Sequence, residues 1–172
     1  MPNPFTDSEK EYLREQLIRE AEACLALYGI RRTTVDELVR RVGIPKGTFY
    51  LFYGSKEALI FDVLLKINAE VQQKLIEQIS GMQTMPNARQ LTDIIFGLYR
   101  SLDGSFFLKL IETRELNFLM RKAPPEFKEM NTLEDESMMD RLVALFPEMD
   151  LEKSKLYSAA LRAAFLLLLH KD

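Results

Sequence analysis

The sequence predicts an all-α fold, and three observations carry that expectation. Seven glycines and seven prolines are spread over 172 residues, so the stretches between helix breakers are long. Within those stretches apolar residues recur at spacings of three and four, the period of a helix. No bounded run of alternating Val, Ile and Thr marks a strand. With 47% hydrophobic and 28% charged residues, the chain has material for one or two packed domains.

The first helix is expected to open at Asp7 or Ser8, both suited to cap it, and to present Leu13, Leu17, Ile18, Ala21, Leu25 and Tyr28 as one apolar stripe. Gly29 ends it. Thr34-Val35-Asp36-Glu37 reads as a capping box, in which the Thr34 hydroxyl accepts from the Glu37 amide while the glutamate reaches back. A short second helix follows, with Val35, Leu38, Val39 and Val42 inward, and closes at Gly43. Pro45 suits the opening turn of a third short helix. Two short helices joined by about three or four residues with a glycine form a helix-turn-helix. Gly54 breaks the third helix, and Ser55 caps a long fourth one that runs through Leu59, Val63, Ile67, Val71 and Leu75 to Ile79. Residues 81–87, GMQTMPN, form a loop. Beyond it, helices are expected at 88–102, 105–122 (broken near Thr113), 125–146 (broken near Asn131) and 151–170, punctuated by Gly104, Pro124, Pro125 and Pro147.

Composition removes whole classes of chemistry. One cysteine, Cys24, allows no internal disulfide, and with one histidine, His170, no Cys/His zinc set assembles within the chain. There is no Glu-x-x-His pair for a carboxylate-bridged metal bundle, no Gly-rich phosphate loop and no Ser/His/Asp set, so the expectation is no enzyme and no cofactor. Cys24 lies in the apolar stripe, which favours a small core residue over a redox sensor. The N-terminus lacks the basic start and apolar stretch of a secretory signal. The most apolar run, 161–169, is roughly half of the ~20 residues a membrane helix needs. A cytoplasmic, reducing setting without a membrane span is expected.

The net charge of −3 conceals a local asymmetry. Between residues 31 and 56, Arg31, Arg32, Arg40, Arg41, Lys46 and Lys56 face only Asp36 and Glu37, a local +4 that leaves −7 for the remainder. A compact basic window on an acidic protein is what selective phosphate contact requires. On a helical wheel the third helix sorts its rings into two sets. Phe49, Phe52 and Tyr53 share one arc and pack inward, whereas Lys46, Gly47, Thr48, Tyr50 and Leu51 occupy the outward arc.

Together these residues resemble the TetR-type (TetR/AcrR) transcriptional regulators. The match comprises Gly29, Thr33-Thr34-Val35, the run Val42-Gly43-Ile44-Pro45-Lys46-Gly47-Thr48-Phe49-Tyr50, and Ser55-Lys56-Glu57-Ala58-Leu59, over roughly residues 12 to 65. The resemblance implies an N-terminal helix-turn-helix domain over 1–54 and a helical effector-binding and dimerisation domain over 55–172, with 55–80 as connecting helix. Lys46, Gly47 and Thr48 match the entrance of the recognition helix, whose residues reach base edges in the major groove. Lysine there donates to guanine O6 and N7, and Thr48 meets a base edge or a thymine methyl. Tyr50 and Lys56 match phosphate contacts, and Thr34 with the amides of the second helix holds another phosphate. Leu51 departs from the family's usual polar residue and suits a thymine methyl or sugar carbons. For Lys46 and Tyr50 the competing reading is an ordinary solvated surface.

The resemblance further implies a bacterial homodimer that binds a palindromic operator in double-stranded DNA. A small-molecule effector in the C-terminal helices would alter the separation of two recognition helices that must sit ~34 to 36 Å apart. Phe96, Met120 and Met138 are among the candidates for the effector's lining, with Tyr99, Arg114 and Asn117 as orienting polar groups; plain core is the competing reading for the apolar ones. Leu161, Ala164, Phe165 and Leu168 give the last helix an apolar face, and from 163 to 169 it is apolar nearly all round, so it must be buried. In the family a final pair of helices meets the partner subunit's pair. Only one such helix is found here, so the native chain is expected to continue past Asp172. The function expected is repression relieved by an effector, and the alternative is a helical protein-interaction module without specific DNA binding.

Overall fold

The computed structural model describes residues 5–145, apart from 85, 102–105, 107, 108, 111, 112 and 114, together with 156 and 159. Among the described residues there is no strand. The helices are α1 (Asp7–Arg32), α2 (Val35–Val42), α3 (Lys46–Phe52), α4 (Lys56–Ser80), α5 (Ala88–Ser101), α6 (Glu115–Arg121) and α7 (Pro125–Leu145). Spatial contacts divide the chain into one unit of Met1–Leu65 with Gly104–Lys122 and another of Lys66–Asp103 with Ala123–Asp172.

In the first unit, α1 opens one residue earlier than expected. Thr6 is the N-cap: its hydroxyl accepts from the Glu9 amide at 3.2 Å, and the Glu9 carboxylate accepts from the Thr6 amide at 2.8 Å. A reciprocal capping box satisfies two amides that the first turn leaves without partners, which Asp7 or Ser8 would do singly. Leu17, Ala21, Cys24 and Leu25 are fully buried, so Cys24 is a core residue. Tyr28 departs from the expected stripe and stays exposed, because its ring lies against Arg41. The helix breaks at Gly29, where φ is 73° and ψ −180°, and resumes for one turn through Arg32.

The second and third helices bury Leu38, Val39 and Phe49, whereas Val35 and Val42, at the edges of the expected inward face, are half-buried. Gly43 closes α2 in the left-handed conformation, its amide on the Val39 carbonyl at 2.9 Å. Phe49 and Tyr53 are core, as expected. Phe52 is only half-buried, since the ring it meets is Phe5, itself near the chain's start and 36% exposed. The Ser55 hydroxyl accepts from the Ala58 amide at 3.1 Å, and Leu59, Ile60 and Val63 turn α4 into this core. Leu110 and Leu119 are buried in the same unit.

The second unit has its own apolar cluster: Leu75, Ile76 and Ile79 from α4, Ile94 and Leu98 from α5, and Met138 from α7, with Met82 at its edge. The periodicity is interrupted near Thr113, which lies in a turn, but α7 runs unbroken through Asn131. Asparagine is a weak helix former, and tertiary packing overrides a preference of that size.

Gly29 is constrained twice. Its backbone occupies a region open essentially to glycine alone, and a Cβ there would lie 3.1 Å from Glu115 Oε2. Gly29→Ala is therefore expected to destabilise the protein by about 1–3 kcal/mol, seen as a thermal midpoint lowered by several degrees. Most of the loss should persist in a Glu115→Ala background, where only the close contact is relieved.

Candidate nucleic-acid interface

The surface predicted to meet DNA is assembled from the start of α2, the whole of α3 and the start of α4. Thr34 caps α2, its Oγ1 accepting from the Glu37 amide at 3.2 Å. The reciprocal half of that capping box does not form. The Glu37 carboxylate turns instead to two arginines, accepting from Arg40 Nη2 at 2.7 Å and Nε at 2.9 Å and from Arg41 Nε at 2.7 Å. Two guanidinium groups outcompete one amide for a carboxylate, since they bring two full positive charges and three N–H bonds where the amide brings one neutral donor. Those arginines hold the Glu37 carboxyl down at about 2.

Arg41 is a structural cation. Its guanidinium also lies 3.5 Å from Glu20, donates to the Tyr28 hydroxyl at 3.3 Å and sits over the Tyr28 ring, which ties α2 to α1. Arg31 faces Glu115 at 3.9 Å. The basic window is thus partly neutralised by carboxylates from outside it, Glu20 and Glu115, that no count within 31–56 includes.

Helix α3 is short, and its far end is held by chemistry rather than length. An isolated seven-residue helix is not stable in water. Phe49 is fully buried beneath it. Tyr53, its C-cap, donates to Asp62 Oδ2 at 2.9 Å from α4, with Arg14 of α1 over the Tyr53 ring and 3.8 Å from the same carboxylate. Burial, followed by the neighbouring Asp62 charge, pushes the Tyr53 hydroxyl well above the usual phenol range. With the inner face so fixed, the outer face is displayed: Tyr50 is 51% and Leu51 75% exposed, Lys46 and Gly47 are exposed, and Thr48 is half-buried. A Cβ at Gly47 would meet nothing within 4 Å, so no packing inside the protein requires glycine there. Glycine inside a helix costs about 1 kcal/mol relative to alanine.

Lys56 is placed differently from the other six candidates. Its ammonium donates to the carbonyls of Ile30 and Thr33, each at 2.8 Å, beneath the N-terminus of α2. Two of its three N–H donors are committed within the fold, and one remains. The residue that sequence reading passed over is Glu115. From α6 it accepts the Ile30 amide at 2.9 Å, 85 positions away. No local pattern marks it.

Of the effector candidates, Phe96 and Met120 are exposed at 44% and 36%. Tyr99 and Asn117 lie in α5 and α6 with side chains outside the described set, and Arg114 lies outside it altogether. So do the dimer candidates Leu161, Ala164, Phe165 and Leu168. In the second unit an open groove of about 830 Å³ runs along α4 and α7, lined by residues that include Lys66, Gln73, Glu77, Leu133, Met138 and Arg141. Of the candidates, Met138 is among its described lining, and Phe96 and Met120 are not. Among the described residues no group of three His, Cys, Asp or Glu side chains is placed to hold a metal ion, and no helix is long and apolar enough to cross a membrane.

Comparison with known proteins agrees with this geometry. Residues 17–63 match the family of bacterial regulatory proteins, tetR family, a span that contains α2, α3 and the start of α4. The HTH-type transcriptional regulator YdgC of Bacillus subtilis (strain 168) is 24% identical over 120 residues, which cover 68% of this chain and 57% of YdgC. The chain thus spans little more than half the length of that relative. Among solved structures, the TetR family repressor AlkX from a Dietzia strain superposes with a TM-score of 0.69 at 15% identity, covering 91% of this chain and 82% of AlkX. A transcriptional regulator from Streptomyces coelicolor A3(2) gives 0.60 at 18% identity, covering 90% and 85%. At such identities the structures speak for the fold, all-α with an N-terminal helix-turn-helix. The matched family and these relatives are regulators of transcription, not enzymes.

The Glu37 contacts have a measurable pH signature. A carboxyl depressed in the folded state stabilises it above the ordinary value near 4.5, and that contribution is lost as pH falls toward about 2. Denaturation midpoints recorded from pH 7 to pH 2 should fall across that window in the wild type. Glu37→Gln should be less stable at neutral pH and show a shallower acid slope.

Proposed function

We propose that this tetR-family helix-turn-helix regulator of transcription is a cytoplasmic repressor that binds a palindromic operator as a homodimer and is released by a small-molecule effector. The observation that carries the DNA-binding part is the outward face of α3. There Lys46, an unfilled Gly47, Thr48, Tyr50 and Leu51 stand on a helix whose inner face is locked by Phe49 and Tyr53. Lys46 and Thr48 are the base-reading residues, and Leu51 is an apolar contact for a thymine methyl or sugar carbons. Tyr50, Thr34 and the third N–H of Lys56 meet phosphates. Gly47 gives the backbone clearance.

The division of labour proposed is a DNA-binding part over 1–54 and an effector and dimerisation part over 55–172. The effector would contact Phe96, Tyr99, Arg114, Asn117 and Met120, and the dimer face would include Leu161, Ala164, Phe165 and Leu168. The connecting helix α4 begins at Lys56, whose ammonium holds the α1–α2 connection. Movement of that helix would be felt at the DNA-binding surface, and a small change in spacing between two half-sites lowers affinity. The repressor AlkX, similar in fold, supports repression over activation.

Selection from random double-stranded DNA tests this reading. A palindrome should be enriched, with half-sites about one helical turn apart and affinity that weakens steeply between about 50 and 200 mM salt. Lys46→Ala with Tyr50→Ala should bind the selected site at least about tenfold more weakly, as loss of a base contact and a phosphate contact requires. Equal binding by that double variant would remove α3 from the interface. Absence of any enriched sequence would leave the protein-interaction alternative.

A further inference from the structure

We infer that Lys46 and Asp36 work as one unit that reads a single G·C base pair, Lys46 on the guanine and Asp36 on the cytosine amine, an inference that rests on the DNA-binding reading above. Lys46 opens α3 and Asp36 lies in the first turn of α2. The Lys46 Nζ lies 2.9 Å from Asp36 Oδ1 and 3.1 Å from Oδ2, so the ammonium sits across the carboxylate. Both side chains are open to solvent, at 50% and 74% exposure. Among the described residues no other cation contacts Asp36. An exposed, solvent-screened pair of this kind contributes little to stability, which leaves stability a weak reason for it.

The pair does change what Lys46 can bind. A lone lysine is a point charge that any phosphate satisfies. A lysine with a carboxylate beside it carries no net charge, and the carboxylate repels phosphate oxygens. What the pair presents is a donor and an acceptor side by side at 2.9 Å. In the major groove a G·C pair presents the complement: the guanine O6 acceptor and the cytosine N4 amine donor. Those two atoms are hydrogen-bonded to each other and so stand about 2.9 Å apart. The ammonium can donate to O6 while the carboxylate accepts from N4, with the ion pair intact. Neither charge is stripped of its partner, so the penalty for an unpaired desolvated charge is avoided.

An A·T pair offers the same two functions at the same spacing but with the wrong neighbours. Adenine N7, an acceptor, falls beside the carboxylate, and the thymine methyl falls beside the ammonium. Guanine N7 instead gives Lys46 a second acceptor. The pair therefore favours G·C in one orientation within each half-site.

Selection from random DNA with the full-length protein, repeated for Asp36→Ala, Lys46→Ala and the double variant, tests this. The wild type should enrich a palindrome with one strongly preferred G·C pair per half-site. Asp36→Ala and Lys46→Ala should each relax preference at that same pair, by about 5- to 150-fold, and the double variant should be little worse than the stronger single one. Asp36→Ala should also steepen the salt dependence, because the freed lysine then meets phosphate. Both residues are exposed, so thermal midpoints should stay close to wild type and a base-preference change is not a folding effect. Unchanged preferences in Asp36→Ala, or loss at a different pair from Lys46→Ala, would overturn the inference while leaving operator binding standing. Failure of the wild type to enrich any sequence would overturn the DNA-binding reading itself, and this inference with it.

Discussion

The connection between α1 and α2, residues 29–34, is the constraint on which the rest of the DNA-binding unit depends. Its backbone breaks from the helix at Gly29, resumes it for one turn to Arg32 and is capped at Thr34 before α2, so several amides and carbonyls lose their helical partners. The fold supplies substitutes from two distant places. Glu115 accepts the Ile30 amide, Lys56 donates to the carbonyls of Ile30 and Thr33, and the fully buried Thr33 returns both its hydroxyl, at 2.8 Å, and its amide, at 3.2 Å, to the Gly29 carbonyl. Each such group left unsatisfied would cost about 1–3 kcal/mol. Only a residue without a side chain can adopt the Gly29 conformation and leave Glu115 room to approach.

Helix α2 starts where that clamp ends, and α3 is packed on α2. The placement of Lys46 in space is therefore inherited from Lys56 and Glu115. A seven-residue helix cannot correct an error in its support, so the outward face of α3 is only as well positioned as the connection beneath α2. The Tyr53–Asp62 bond and the Arg14 guanidinium do for the far end of α3 what the clamp does for the near end. Charge serves the same purpose. Arg41 joins α1 to α2, so what the basic window offers a phosphate is less than its six cations imply.

Local patterns were legible, and long-range partners were not. The Thr34 cap, the closures at Gly29 and Gly43, the Ser55 cap and the inward turn of Phe49 and Tyr53 follow from neighbours within four positions, which a sequence displays directly. Where two local signals competed, the structure chose: Thr6 over Asp7 or Ser8, because Glu9 completes its box, and Arg40 with Arg41 over the Thr34 amide as partners of Glu37. Tyr28 and Phe52 sit at the edge of the periodic stripe, where a wheel cannot separate half-buried from buried; contact with Arg41 and Phe5 decides them. Glu115 stayed invisible for a different reason. It acts through a backbone amide, which every residue owns, so nothing at position 30 advertises the partner it needs.

That invisibility bears on how a site of this kind is built. Residues that face DNA must be exposed and of particular chemistry, so they cluster in one short stretch that the sequence displays. Residues that hold the face in place need only supply a charge at the right distance, and they are drawn from wherever the fold passes. In this unit the holding charges come from α4 and α6, on either side of one connection. Shifting α6 relative to α1 must either strip the Ile30 amide of its acceptor or carry the connection along. The bonds that fix α2 thus do not belong to α2.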